Sequence, residues 1–250
     1  MADPKQKSTL TLAQIDEALK RILGGEIASV NGINPNLLDT WYFGRPVNQK
    51  GQTEYAVNGY TVDRWFSNYA NLKVELVNGG IKVANTGTVA CALRQPFENK
   101  PVLSVHTASV LCEAVTGTVY LQNFYADGTT SSALKLADGL VCGTEGKSTG
   151  FDRFSFYFTA GASVILKAAK LELGSQQTLA HQDENGNWVL NEIPDYGEQL
   201  LKCQRYYQLF SSADARPSDL ADYRPSMRAN PAVGTIDIGG KTYYFADANL

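Results

Sequence analysis

Between Leu72 and Leu173 apolar and polar residues alternate with a period of two, which restricts this stretch to extended strands with one face in a core. Leu72, Val74 and Leu76 share one phase, Asn78-Gly79-Gly80 supplies a tight turn, and Ile81 and Val83 return, so the segment predicts a β-hairpin. Val89, Cys91 and Leu93 form a further inward row. The stretch PVLSVHTASV is apolar or small on both phases, as a central strand covered on both sides requires. In GTVYLQNFYADGTT, Val119 and Leu121 face one way and Tyr120 the other, and Asp127-Gly128 marks a turn. Phe154, Phe156 and Phe158 alternate cleanly, and Val164 to Leu173 supplies a last long strand. Many short-spaced strands without intervening helices predict an all-β fold, an antiparallel jelly-roll β-sandwich. The 13 Tyr, 10 Phe and 22 Gly against 2 Met agree with strands joined by tight turns.

Helices are expected only at the two flanks. In TLAQIDEALKRILGG, Thr11 and Gln14 make a capping box and Gly24-Gly25 supply the stop. Leu12, Ile15, Leu19 and Ile22 step by three, four and three, with Leu at both a positions and Ile at both d positions, a choice that favours three or four strands over two. Two readings stay open: a homotrimer-forming helix, or a short helix docked on its own domain. Near the other end, DYGEQLLKCQRYYQLF predicts a helix capped by Asp195 with Glu198, carrying Leu200, Cys203, Tyr207 and Phe210 on one stripe. Beyond it, TIDI and KTYYF joined by Gly239-Gly240 predict a C-terminal hairpin. The expected layout is an N-terminal helix and linker over 1–35, the sandwich over 36–180, and a helix and hairpin extension over 181–250.

Several chemistries find no support in these residues. A net charge of -3 with no Lys/Arg cluster argues against nucleic acid, and no apolar stretch suits membrane insertion. The start MADPKQKSTL has no apolar signal core, so no signal peptide is expected and synthesis in the cytoplasm is the expectation. Cys91, Cys112, Cys142 and Cys203 form no C-x-x-C pair and are expected to be buried free thiols. His106 and His181 lack metal-ligand spacing, and no G-x-S-x-G elbow presents a serine, so neither a metal site nor a Ser-His-Asp site is expected. His106 reads as a satisfied sheet residue. Paired carboxylates cannot be judged from spacing, and the acidic residues cluster in turns such as 126–128 and 183–187.

Five strings in order resemble a family of phage and prophage tail or fibre-type structural proteins with a carbohydrate-binding-module-like jelly roll. They are NLLDTWYFGRPVNQKGQTEY at 36–55, GYTVDRW at 59–65, NGGIKV at 78–83, KLELGSQQTL at 170–179 and YGEQLLKCQRYYQ at 196–208, and PSMRANPAVGTI extends the likeness. The resemblance implies a virion protein, non-enzymatic and near host-facing fibres, that contacts other virion proteins and a host cell-surface glycan. It also implies that a calcium ion is possible, although no oxygen-ligand loop of fixed spacing is present.

Sugar rings offer an apolar face on which an exposed aromatic side chain stacks while amides bind the hydroxyls. Trp41, Tyr42, Tyr60, Trp65, Tyr69, Tyr120 and Tyr125 are the aromatic candidates, with Asn68, Asn71, Gln122 and Asn123 as polar company. The expected carbohydrate-binding set is Tyr69, Tyr120, Tyr125, Gln122, Asn123 and Trp65; core packing competes as the role of Trp41 and Trp65. Three functions stay open: host attachment through glycan as a trimer, structural decoration of a head or tail without sugar binding, and a glycan depolymerase.

Overall fold

A computed structural model describes residues 33–211 and 223–249. The predicted helix over 11–25, with its seam Leu12, Ile15, Leu19 and Ile22, lies outside them. In chain order the early strands are β1 (Glu54–Tyr55), β2 (Gly59–Tyr60), β3 (Phe66–Ser67), β4 (Leu72–Val77), β5 (Gly80–Asn85) and β6 (Cys91–Pro96). There follow β7 (Val105–Thr116), β8 (Val119–Tyr125), β9 (Leu134–Lys135), β10 (Gly139–Gly146), β11 (Phe151–Phe158) and β12 (Ser163–Leu173). The chain then forms β13 (Ala180–Gln182), β14 (Trp188–Leu190), the helix α1 (Tyr196–Gln204), β15 (Tyr207–Ser211), β16 (Ala232–Ile238) and β17 (Lys241–Asp247).

Two six-stranded sheets result, ordered β1-β4-β5-β12-β7-β10 and β2-β3-β6-β11-β8-β9. Every recorded strand pairing is antiparallel, and from β5 to β8 the chain passes from one sheet to the other at each step, the jelly-roll manner of connection. The fold is the antiparallel β-sandwich that the alternation predicts. Its core forms because inward residues of one phase meet between the sheets: Leu93, Leu121, Phe154, Phe156 and Phe158 from the second, Val74, Val83, Val110 and Leu171 from the first. The hairpin of β4 and β5 closes over Asn78-Gly79, with Val77 opposite Gly80 and Gly79 at φ +74, a left-handed conformation that glycine adopts without strain.

The two sheets differ on their outward faces. Along the first sheet the segment 36–43 lies beside β12 where β5 ends: Leu37 N donates to Leu171 O, Phe43 N to Lys167 O, and Ala169 N to Trp41 O. The hairpin of β13 and β14 is tied to the same strand through Lys170, whose ammonium lies 2.8 Å from Glu192, and through Glu172, which accepts from Thr178 N at 2.7 Å. Lys170 and Glu172 are both fully buried.

Some expectations need correction. Val89 is 52% exposed, because Asn85 Nδ2 donates to Val89 O and holds a turn that ends before β6 begins. Cys142 is exposed on β10, whereas Cys91, Cys112 and Cys203 are buried, and all four thiols are free. The helix is capped by Asp195 accepting from Glu198 N as expected, but it ends at Gln204, and Tyr207 and Phe210 belong to β15. The aromatic run after the helix suits an extended strand, which pairs with β17. The helix buries Cys203, as the stripe predicts, together with Gln199, while Leu200 stays half-buried: Gln199 Oε1 accepts from Thr40 N at 2.9 Å, and Cys203 Sγ lies 2.9 Å from Thr40 Oγ1. The C-terminal hairpin of β16 and β17 turns over Gly239-Gly240, and β15 adds a third strand to it.

Candidate functional site

Because directly opposed residues of antiparallel strands share a face, the registers read out the open side of the second sheet. One row runs Tyr60, Phe66, Arg94, Ser155, Gln122 across β2, β3, β6, β11 and β8. A second runs Ala92, Tyr157, Tyr120, Lys135, and a third Pro96, Arg153, Phe124. Strands lie about 4.8 Å apart and same-face neighbours on one strand about 6.7 Å, so the first row spans roughly 19 Å.

Rings and cations interleave on this face. Tyr60 and Phe66 meet edge to face at 5.2 Å, and Phe124 and Tyr157 lie 5.9 Å apart at 31°. Arg94 sits over Phe66 at 4.9 Å, and Arg153 over Phe124 at 4.0 Å while pairing with Asp152 at 2.6 Å. Tyr60, Phe66, Tyr120, Phe124 and Tyr157 are all half-buried, so each ring keeps part of its surface in solvent. The hydroxyls of Tyr120 and Tyr157 have no hydrogen-bond partner among the described residues. Ser155 Oγ is buried and lacks one as well. Burial among these groups holds the Arg94 guanidinium below the usual arginine range, and repulsion from Arg153 adds to the shift. Gln122 Nε2 donates to Thr130 Oγ1 and Ser131 O, both at 3.2 Å, which fixes its amide on the face.

The expected binding residues separate by phase. Tyr120 and Gln122 project from β8 onto this face. Tyr125 and Asn123 are on the same strand in the opposite phase, and both are buried. Tyr125, 3% exposed, donates to Glu145 Oε2 at 3.0 Å and lies 3.2 Å from His106 Nε2, so its hydroxyl is a core connector and not a ligand contact. Its burial, with the Glu145 carboxylate adding, pushes the phenol above the usual tyrosine range. His106 is buried and satisfied, as expected, with Leu103 O as its second partner. Trp65 is a correction too: at 0% exposure it stacks on Phe156 at 5.7 Å, packs on Phe43 at 5.2 Å and donates to Thr40 O at 3.1 Å. Trp41 is likewise core, while Tyr69 is 45% exposed in the turn between β3 and β4, outside the rows.

Phe66, Arg94, Phe124, Arg153 and Tyr157 escaped the sequence reading, although phase was the signal available for most of them. Tyr157 alternates with Phe156 and Phe158, Phe124 shares the phase of Tyr120, and Arg94 follows the inward Leu93. Outside the second sheet, Tyr42, Lys167 and Trp188 line a groove over the first, where Lys167 already holds Glu113 at 2.7 Å. Among the described residues no group of three or more His, Cys, Asp or Glu is placed to hold a metal ion, and no helix is long and apolar enough to cross a membrane.

No protein-family model matches this chain, and no curated protein does. Partial similarity to solved structures includes a mutant of a carbohydrate binding module family 29, at 11% identity and TM-score 0.34 over 47% of this chain and 86% of that one. A CBM29-2 mutant complexed with cellulohexaose matches at 14% identity and TM-score 0.34, over 56% of this chain and 92% of that one. TmCBM61 in complex with beta-1,4-galactotriose matches at 12% identity and TM-score 0.33, over 51% of this chain and 99% of that one. At such scores the likeness carries no inference about function.

Proposed function

We propose that this chain is a non-catalytic glycan-binding protein whose ligand lies on the open face of the second sheet, in the setting of a phage-like virion that attaches to a host surface. One observation carries the binding reading: half-buried rings stand beside polar groups that make no hydrogen bond among the described residues, namely the hydroxyls of Tyr120 and Tyr157 and the guanidinium of Arg94. Rings stack on the apolar side of a sugar, and donors and acceptors without internal partners are available to its hydroxyls. The three rows hold no Asp or Glu, whereas glycoside hydrolysis requires a pair of carboxylates, which supports binding over cleavage on this face.

The particle setting rests on the ordered strings 36–55, 59–65, 78–83, 170–179 and 196–208 and their resemblance to tail and fibre-type proteins. Within that setting, Leu12, Ile15, Leu19 and Ile22 form a trimer seam and the N-terminal helix meets other virion proteins. Three weak sites on one oligomer give the avidity that a repetitive cell surface rewards.

The test is a glycan array probed with the whole chain and with Tyr120→Ala and Tyr157→Ala. Binding that falls at least about tenfold in both variants supports the face, on the scale of a lost ring stack and hydrogen bond. Failure of the whole chain to bind any glycan, or binding by both variants unchanged from the parent, refutes it. Mass in solution before and after deletion of residues 1–30 tests the trimer: an unchanged monomer removes it.

A further inference from the structure

We propose that the glycan is acidic, and that Arg94 is the residue that takes its oxyanion; this rests on the glycan-binding reading above.

Among the described residues, Arg64, Arg153, Arg205 and Arg228 are answered by carboxylates, whereas Arg45 lies over the Tyr196 ring at 4.6 Å. Arg64 reaches Asp39 at 3.1 Å, Arg153 reaches Asp152 at 2.6 Å, and Arg205 and Arg228 both reach Glu98, at 3.5 and 3.8 Å. Arg94 has neither an ion pair nor a hydrogen bond among the described residues: its guanidinium lies over the Phe66 ring, 4.9 Å away, and the Asp152 carboxylate, which attracts it, is itself held by Arg153 and Lys100. It stands in the middle of the long row, with Phe66 on one side and Ser155 on the other. Ser155 is fully buried, and its Oγ has no partner. A half-buried cation without an ion pair is an arrangement that lacks an acceptor, and a planar oxyanion supplies one.

The neighbours reinforce the sign. Lys135 is opposite Tyr120, and Arg153, opposite Phe124 in the adjoining row, is balanced by its pair with Asp152, so Arg94 and Lys135 carry the net charge of the rows. Although the whole chain is weakly acidic at -3, this face is cationic. The guanidinium fork matches a carboxylate by two parallel hydrogen bonds, and the ring of Phe66 fixes one face of that fork, so a uronate carboxylate in the plane of the guanidinium is the fitting group.

The experiment uses the whole chain and paired glycans that differ only in charge: oligosaccharides of uronic acids beside their methyl esters, sulfated sugars beside their desulfated forms, and neutral cello- and galacto-oligosaccharides. The expected result is that uronate forms bind about tenfold to a hundredfold better than their esters, the range of a charge-assisted hydrogen bond. The preference should shrink as salt is raised. Arg94→Gln abolishes the preference and Arg94→Lys restores part of it, while Lys82→Gln, which removes the same charge from an exposed position on the first sheet, leaves it intact. Thermal unfolding of Arg94→Gln, unchanged from the parent, excludes a folding defect. Equal binding of acid and ester, or an acid preference that survives in Arg94→Gln, overturns the inference and leaves glycan binding standing. A preference for sulfated forms over uronates overturns the carboxylate and keeps the cation. If no sugar in the panel binds, both the inference and the reading beneath it fall.

Discussion

Replacing Lys170 with Met tests how the β13-β14 hairpin is held to the sandwich. Lys170 is 0% exposed, its ammonium is 2.8 Å from Glu192 and 3.9 Å from the equally buried Glu172, and the opposed Ser109 hydroxyl offers no hydrogen bond. Met keeps the length of the side chain and removes the charge, leaving two carboxylates close together with no cation between them. Truncating one member of a buried pair costs about 3–5 kcal/mol, chiefly because the other charge stays desolvated. Glu192 is 34% exposed and can turn toward water, which places the expectation near the lower end, about 3 kcal/mol. With a urea slope of about 1–3 kcal/mol/M, the unfolding midpoint should fall by at least about 1 M. The companion variant Lys170→Met/Glu172→Gln keeps an acceptor for Thr178 N, now 2.7 Å from Glu172 Oε1, and removes the stranded charge. It should recover at least about 1 kcal/mol of the loss. A single variant within about 1 kcal/mol of the parent, or a double variant no more stable than the single, refutes the claim that the charge pairing holds the hairpin.

Three further outcomes follow from the same packing. Phe156→Ala removes a fully buried ring stacked on Trp65 and should cost about 3–5 kcal/mol in urea unfolding; a cost below about 1 kcal/mol would contradict a close-packed sandwich core. Iodoacetamide should label Cys142 in the folded protein within minutes while Cys91, Cys112 and Cys203 react only on unfolding, since burial also pushes the Cys91 thiol up to about 11 and Cys112 to about 12; early labelling of any buried thiol by peptide mass analysis counts against their placement. Burial pushes the His106 imidazole below the ordinary histidine value of 6.5, so the folded chain binds fewer protons than the unfolded one: the contribution is fully present above about pH 6.5 and is lost as the pH falls through the window beneath it. His106→Gln should therefore flatten the fall in stability between about pH 7 and about pH 5, and an unaltered slope assigns it to other groups.

Much of the fold was legible because one periodicity settles it. A strand sorts its side chains by parity, so Val119 and Leu121 as core residues fix Tyr120 and Gln122 outward and Asn123 and Tyr125 inward in one step. Parity divides the expected set between the outward face, with Tyr120 and Gln122, and the core, with Asn123 and Tyr125. Trp65 could not be sorted in this way. It follows a turn residue at positive φ, Arg64, and its surroundings come from Phe43 and Phe156, distant in the chain. The end of α1 was unreadable for a related reason: YYQLF fits a helical stripe by spacing, and only its pairing partner β17 decides for the strand.

What no local pattern could disclose is which outward face stays open. Both sheets have outward-pointing residues of mixed polarity, and on that measure Lys170 and Glu172 look like surface charges and Tyr120 and Tyr157 like misplaced core. Contacts far apart in sequence reverse both impressions. Asn36 reaches across to Ala169, the chain segment after β12 folds back over that strand, and the charges end up buried. Among the described residues nothing comparable lies over Tyr157, Tyr120 and Arg94, so rings and an unanswered cation stay where solvent reaches them. Burying rings would stabilise the fold, and pairing Arg94 with a carboxylate would require only one residue on a neighbouring strand. The outward face of the first sheet thus pairs its buried charges, whereas that of the second keeps Arg94 without an ion pair beside half-buried rings, and the proposed glycan site rests on that contrast.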